Sequence, residues 1–186
     1  MKFTAIILAG GKSRRMGINK ALVLYLGRPL ITYSIDLAKM FTSDILISAN
    51  SDDLDCLGFP VLKDELKVNT PLAGIHAGIK ASQTDWNLIL TCDMPNVTHS
   101  LIRYLIAGLD ENVQQVLPAH DTFIEPLCGF YNRRLIPLIE SNIKKRKLSP
   151  RQLFKVAPHR IIPVDHLPGK DMATLFKNMN SQEDLV

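Results

Sequence analysis

The chain has 186 residues, 46% hydrophobic, 22% charged and 6% aromatic, with a formal net charge of +4. That is long enough for a substantial core and excludes a disordered or fibrous chain. The apolar start meets Lys12, Arg14 and Arg15 before reaching the length of a signal segment or membrane span, and Cys56, Cys92 and Cys128 have the spacing of neither a disulfide framework nor a zinc site. A single domain over residues 1–186, in the cytoplasm, is the expectation.

Short apolar runs alternate with longer helical patterns, as in βαβ units around a mostly parallel sheet. The first run, 3–8, is apolar enough for a strand covered on both faces. Pro29, after the Gly27-Arg28 turn, opens a helix to about residue 40, with Leu30, Ile31, Tyr33, Ser34, Leu37 and Ala38 on one face. Strands are expected over 44–49 and 60–63. Pro71 starts a helix over 72–81 whose small residues permit close packing on a sheet, 87–91 reads as a strand, and Thr98 caps a helix over 100–109.

Beyond residue 109 the pattern changes. Runs 113–118 and 123–131 read as an antiparallel hairpin at the sheet's edge. Asn132 caps a helix to about 145, its start delayed by Pro137. Ser149-Pro150 restarts a short helix to 154, 161–164 is a last strand, and Ser181 to Asp184 form a capping box. The fold class that follows is a Rossmann-like three-layer α/β/α sandwich, mostly parallel with an antiparallel edge hairpin.

Charge is unevenly placed. Residues 133–160 hold nine Lys and Arg against Glu140 alone, leaving 13 basic and 17 acidic residues elsewhere. This block is either an anion-docking surface or a solvated helix end with cations favoured by its dipole.

The loop after the first strand, Leu8-Ala9-Gly10-Gly11-Lys12-Ser13-Arg14-Arg15-Met16-Gly17-Ile18-Asn19-Lys20, leaves a parallel strand at its C-terminal end, where such sheets bind ligands. Gly10 and Gly11 let the backbone approach phosphate, and the cations neutralise it, which suits a polyphosphate with Mg²⁺. The loop is neither a P-loop nor a dinucleotide fingerprint: no glycine stands at the required distance before Gly11-Lys12-Ser13, and the Gly-x-Gly-x-x-Gly order is absent.

The pattern Leu-Ala-Gly-Gly-x-Ser-x-Arg-Met-Gly-x-x-Lys resembles the signature of nucleotidyltransferases, and within them the molybdenum cofactor guanylyltransferases. Pro71-Leu72-Ala73-Gly74, Cys92-Asp93-Met94-Pro95, Glu125-Pro126-Leu127-Cys128-Gly129-Phe130-Tyr131 and Phe176 to Asn180 with Glu183-Asp184 are similar to later family motifs in family order. The Ala9-Gly10-Gly11 version looks like the guanylyl one, where relatives that use CTP have Leu-Ala-Ala-Gly. The resemblance implies transfer of GMP from GTP to molybdopterin, with other cofactor-biosynthesis and acceptor proteins as partners and neither nucleic acid nor membrane.

It implies Arg15, Lys20 and Asp93 as catalytic residues. Leu8, Ala9, Gly10, Gly11, Lys20, Asp64, Gly74 and Asp93 would bind GTP. Asp93 would hold Mg²⁺, with Asn180 a further candidate ligand. Read as residues alone, Asp93 before Met-Pro is also consistent with an Asx turn, Asn180 with a turn before Ser181, and Lys12 and Arg14 with water-facing cations. Asp64 suits the paired N–H donors of guanine. Asn50 either takes the place of the Asn that the family shows at the end of its second strand, where this chain has Ser48, or begins the next turn. Cys92 and Cys128 read as buried small hydrophobes. The rival functions are a nucleotidyltransferase using CTP or another phosphorylated acceptor, a non-catalytic GTP-binding module and, lacking aromatic interleaving, a nucleic-acid binder.

Overall fold

The computed structural model describes residues 1–10, 19–64, 66, 68, 70–165, 172–180 and 184. Phe3–Leu8 forms β1, every residue buried. Its one polar member, Thr4, is satisfied by Thr84, whose Oγ1 lies 2.9 Å from both the Thr4 N–H and hydroxyl. After a short turn at Lys20–Leu22, β2 (Leu24–Tyr25) and β3 (Arg28–Pro29) form a hairpin that the sequence pattern did not suggest. Both turn residues are left-handed, Leu26 at φ 48° and Gly27 at φ 78°, the twist that two-residue hairpins favour.

There follow α1 (Leu30–Lys39), β4 (Ile45–Ser48), β5 (Val61–Leu62), α2 (Pro71–Ala81), β6 (Trp86–Thr91) and α3 (His99–Ala107). Pro71 opens α2, and the Thr98 hydroxyl accepts from Leu101 N–H as a helix cap. The second half contributes β7 (Gln115–His120), β8 (Phe123–Ile124), β9 (Gly129–Asn132), α4 (Ile136–Lys144), α5 (Arg151–Phe154), β10 (His159–Pro163) and α6 (Met172–Leu175). Asn132 caps a 3-10 turn at Arg133–Leu135, and α4 begins only beside Pro137, the delayed start that a proline without an N–H imposes. The capping box at Ser181 to Asp184 lies, apart from Asp184, outside the described residues.

The sheet runs β10-β7-β9-β6-β1-β4-β5, with β8 paired to β7. β1 pairs in parallel with β4 and β6, and β10 with β7; β9 is antiparallel to both β6 and β7. The expected antiparallel pair is present, but it lies inside the sheet rather than at its edge. The reason is β10, a half-polar strand that adds a parallel partner outside β7.

Period-2 alternation assigns the layers. Ala5 and Ile7 of β1 belong to one core with Ile31, Ile35, Leu101 and Leu105 of α1 and α3. Ile6 and Leu8 belong to the other, with Leu72, Ile75, Ile139 and Leu153 of α2, α4 and α5. Each fully buried Ile or Leu contributes about 1.5–3 kcal/mol of transfer free energy. Because β9 reverses twice, β1, β4, β6 and β7 all run in one direction, and their C-terminal ends, Leu8, Ser48, Thr91 and His120, share one rim.

Close packing of α2 on β1 depends on Gly78. A Cβ there would stand 2.5 Å from Cγ2 and 2.7 Å from Cδ1 of Ile6, which is fully buried. Gly78→Ala gains about 1 kcal/mol of helix propensity but overpacks a core that cannot yield, at about 1–3 kcal/mol. The expected net effect is a melting temperature lowered by a few degrees; a rise would show that the two layers can separate.

Candidate active site

The rim brings together strand ends that are far apart in sequence. The Ala9 N–H donates to Ser48 O at 2.8 Å and the Cys92 N–H to Leu8 O at 3.1 Å, extending the ladders past the strands. Gly10, Ala49 and Asp93 are thereby set beside one another along a cleft of about 350 Å³. Leu8, Lys20, Asp64, Gly74, Thr91 and Leu127 also line it. Of the sequence-expected ligand-binding residues, Leu8, Gly10, Lys20, Asp64, Gly74 and Asp93 are brought together here. Ala9 is buried and not part of the lining. Gly11 and Arg15, with Lys12 and Arg14, lie outside the described residues.

At the centre is an ammonium bridge. Lys20 Nζ donates to Asp93 Oδ2 at 2.7 Å and to Asn180 Oδ1 at 2.8 Å. Both charged side chains are mostly shielded, 14% and 20% exposed, so the attraction is screened less than at an open surface. The other carboxylate oxygen of Asp93 accepts from Thr91 Oγ1 at 2.7 Å. Thr91 ends β6, two residues before Asp93, and so fixes the carboxylate's orientation. Asn180 is held from behind: the Met179 N–H donates to Asp93 O at 2.9 Å, and the Asn180 N–H to Asp184 Oδ2 at 3.0 Å.

Two features of the cleft have no protein partner among the described residues. A Cβ added at Gly10 would meet no atom of those residues within 4 Å. Thr70 Oγ1, at the N-terminal end of α2, is buried without a hydrogen-bond partner among the described residues. A polar hydroxyl beside a helix N-terminus is suited to an anion.

Asp64 follows β5 across the cleft. Its Oδ2 accepts from Asn50 Nδ2 and its N–H donates to Asn50 Oδ1, both at 3.0 Å. Asn50 is therefore the side chain that fixes Asp64, a partnership between two loops that no sequence spacing announces. Burial pushes the Asp64 carboxyl above its ordinary value, and the Asn50 hydrogen bond opposes that. Ser48 lies under Gly74, where a Cβ would come within 2.7 Å of its hydroxyl.

The donor set at Asp93 fits a hard divalent cation. Asp93 and Asn180 present oxygen ligands, which Mg²⁺ prefers, and a cationic nitrogen already sits between them. Among the described residues no group of three or more His, Cys, Asp or Glu could hold a metal, so any such ion would need further ligands from a phosphate and water. The one thiol among the described lining residues, that of Cys92, is sequestered. Cys92 is 4% exposed, and burial pushes its thiol up to about 12; burial raises the Cys128 thiol too.

Residues 5–161 match the family model of the MobA-like NTP transferase domain, which makes the chain a nucleotidyltransferase. A molybdenum cofactor guanylyltransferase of Desulfosudis oleivorans is 33% identical, over 98% of this chain and 92% of its own. A probable molybdenum cofactor guanylyltransferase of Flavobacterium johnsoniae is 31% identical, over 98% and 94%. The chain belongs to this family, the molybdenum cofactor guanylyltransferases. The fold is shared with the crystal structure of molybdopterin-guanine dinucleotide biosynthesis protein A from Archaeoglobus fulgidus, at a TM-score of 0.81, 23% identity and coverage of 98% and 94%.

With Cys92 and Cys128 buried and Cys56 exposed, a thiol reagent is expected to label one of three cysteines in the folded protein and all three after denaturation. Cys92→Ala should retain nucleotide turnover; its loss would point to thiol chemistry.

Proposed function

We propose that the chain transfers GMP from GTP to the terminal phosphate of molybdopterin, releasing pyrophosphate and forming the guanine dinucleotide cofactor, in the cytoplasm. An acceptor phosphate oxygen forms a bond to the α-phosphorus as the bond to the β-phosphate oxygen breaks. The acceptor is already anionic at neutral pH, so no general base is required. The protein's task is in-line positioning and neutralisation of the leaving pyrophosphate. The observation that carries the reading is the Lys20 bridge to Asp93 and Asn180 at the cleft.

Asp93 and Asn180 would hold Mg²⁺, which supplies charge neutralisation and orientation of the triphosphate when bound. Lys20, released from those oxygens, serves as a mobile point charge for the phosphates. Arg15 and Gly11 complete the phosphate loop, Leu8, Ala9 and Gly10 its approach, and Gly74 and Thr70 the wall at the start of α2. Asp64, fixed by Asn50, accepts from N1–H and the 2-amino group of guanine. Cytosine offers a different donor edge, so a CTP enzyme is the rival that base selection tests.

Competition among GTP, CTP, ATP and UTP for the protein should favour GTP, and Asp64→Asn should reduce that preference at least about tenfold by removing a charged acceptor. Preference for CTP would overturn the guanine assignment. Lys20→Met should tighten Mn²⁺ binding to the nucleotide-free protein by about tenfold or more, since a full positive charge leaves the ligand oxygens, while slowing pyrophosphate release from GTP roughly 100-fold. Unchanged Mn²⁺ affinity would show that Asp93 and Asn180 are not metal ligands. Asp93→Ala that bound GTP weakly but released pyrophosphate at the normal rate would make Asp93 a binding group only; GTP binding without pyrophosphate release by the unaltered protein given molybdopterin would favour the non-catalytic rival.

A further inference from the structure

The two oxygens of the Asp93 carboxylate are held differently. Oδ2 accepts from the Lys20 ammonium at 2.7 Å. Oδ1 accepts from the Thr91 hydroxyl, also at 2.7 Å. A hydroxyl donating to an anion makes a short, strong bond. One oxygen is thus engaged by a strand residue, while the other is held by the end of a long, flexible side chain.

Thr91 is itself firmly placed. It ends β6 with 9% of its surface exposed and stands in register with Leu8 of β1. Its carbonyl oxygen accepts from the Ser34 hydroxyl of α1 at 2.9 Å, a buried bond between helix and sheet. Ser34 is 4% exposed, and this bond satisfies its hydroxyl. Helix, strand and hydroxyl together fix the orientation of the Asp93 carboxylate.

Threonine hydroxyls often serve turns in this way. The turn here has other supports, however. The Cys92 N–H donates to Leu8 O at 3.1 Å, and the Asp93 carbonyl accepts from the Met179 N–H at 2.9 Å. A strand would take valine, of the same branched shape, as readily as threonine. What the hydroxyl adds is an occupied Oδ1.

We propose that Thr91 determines the choice of metal: by engaging Oδ1 it makes Asp93 a one-oxygen ligand through Oδ2, which favours a small octahedral ion, Mg²⁺ or Mn²⁺, over Ca²⁺. Thr91 acts as a positioning residue, and the inference rests on the reading of Asp93 and Asn180 as metal ligands given above. Mg²⁺ demands near-ideal octahedral geometry and keeps several waters, so single oxygens from one or two side chains suit it. Ca²⁺ takes roughly six to eight oxygens in flexible geometry and accepts both oxygens of a carboxylate. An oxygen already engaged by a hydroxyl donor is a poorer second ligand. The difference matters at this site because, among the described residues, no group of three or more His, Cys, Asp or Glu could hold a metal. Two-oxygen ligation by Asp93 is therefore the direct way for the protein to meet the higher ligand count of Ca²⁺.

Thr91→Val removes the hydroxyl and keeps the shape, whereas Thr91→Ser keeps the hydroxyl. Mn²⁺ bound to the protein–GTP complex is followed by electron paramagnetic resonance while Mg²⁺ or Ca²⁺ is titrated against it, without acceptor and hence without turnover. Thr91→Val should shift the ratio of the two displacing concentrations in favour of Ca²⁺ by about tenfold, the scale of a hydrogen bond to a charged group. Thr91→Ser should keep the wild-type ratio. A threonine that served only the turn would lower the melting temperature or weaken all three ions alike, and an unchanged ratio in Thr91→Val would overturn the assignment. A Thr91→Ser variant with the ratio of Thr91→Val would overturn it too. Mn²⁺ spectra that Asp93→Ala left unaltered would contradict the metal reading itself, and this inference with it. Spectra that depended on Asp93 while the ratio stayed fixed in Thr91→Val would leave that reading standing and remove the role of Thr91 alone.

Discussion

The contact on which the site depends is the ammonium of Lys20 held between Asp93 and Asn180. It ties the loop after β1, the turn after β6 and the segment after α6, residues 73 and 160 positions apart in the chain. Neither acidic nor amide partner would be in place without the parallel ladders of β1 with β4 and β6. A cation of the protein thus sits where the donor set suits an ion, and the site keeps its charge balanced with the chain's own groups.

The sheet makes this contact a boundary. On one side of Asp93 the cleft presents Gly10, the Thr70 hydroxyl, which has no hydrogen-bond partner among the described residues, and the Asn50–Asp64 pair. On the other lie Glu125, the His120–Phe176 stack and Arg151. A reaction between two anionic phosphates needs a cationic centre. It needs no thiol or hydroxyl nucleophile, in keeping with the burial of Cys92 beside Asp93.

Much of this was legible in the sequence where local physics decides. β1 was readable from its apolar run, α2 from Pro71, and the late start of α4 from Pro137. Asp93 and Lys20 were expected together from the family resemblance of their motifs, and they do line one cleft, but their mutual bond was not legible, since separation in sequence carries no distance. The β2–β3 hairpin and α6 are too short to leave a periodic signal. β9 is interior because it inserts between β6 and β7, and β7 is kept from the edge by β10, tertiary choices that hairpin patterning cannot reveal. Charge counting found the basic block but could not separate Arg134 and Arg160, spent on backbone and loop contacts, from Arg151 at the rim. Thr91 passed as the end of a strand because its hydroxyl matters only through the Asp93 oxygen it fixes.

The most direct test of the Lys20–Asp93 centre is a double-mutant cycle on molybdopterin-dependent pyrophosphate release from GTP, using Lys20→Met, Asp93→Asn and the pair together. Residues that act as one unit lose nearly as much singly as jointly. A common centre predicts a double variant about as slow as the slower single variant. Losses that multiply independently would contradict it, showing that the two side chains serve separate tasks.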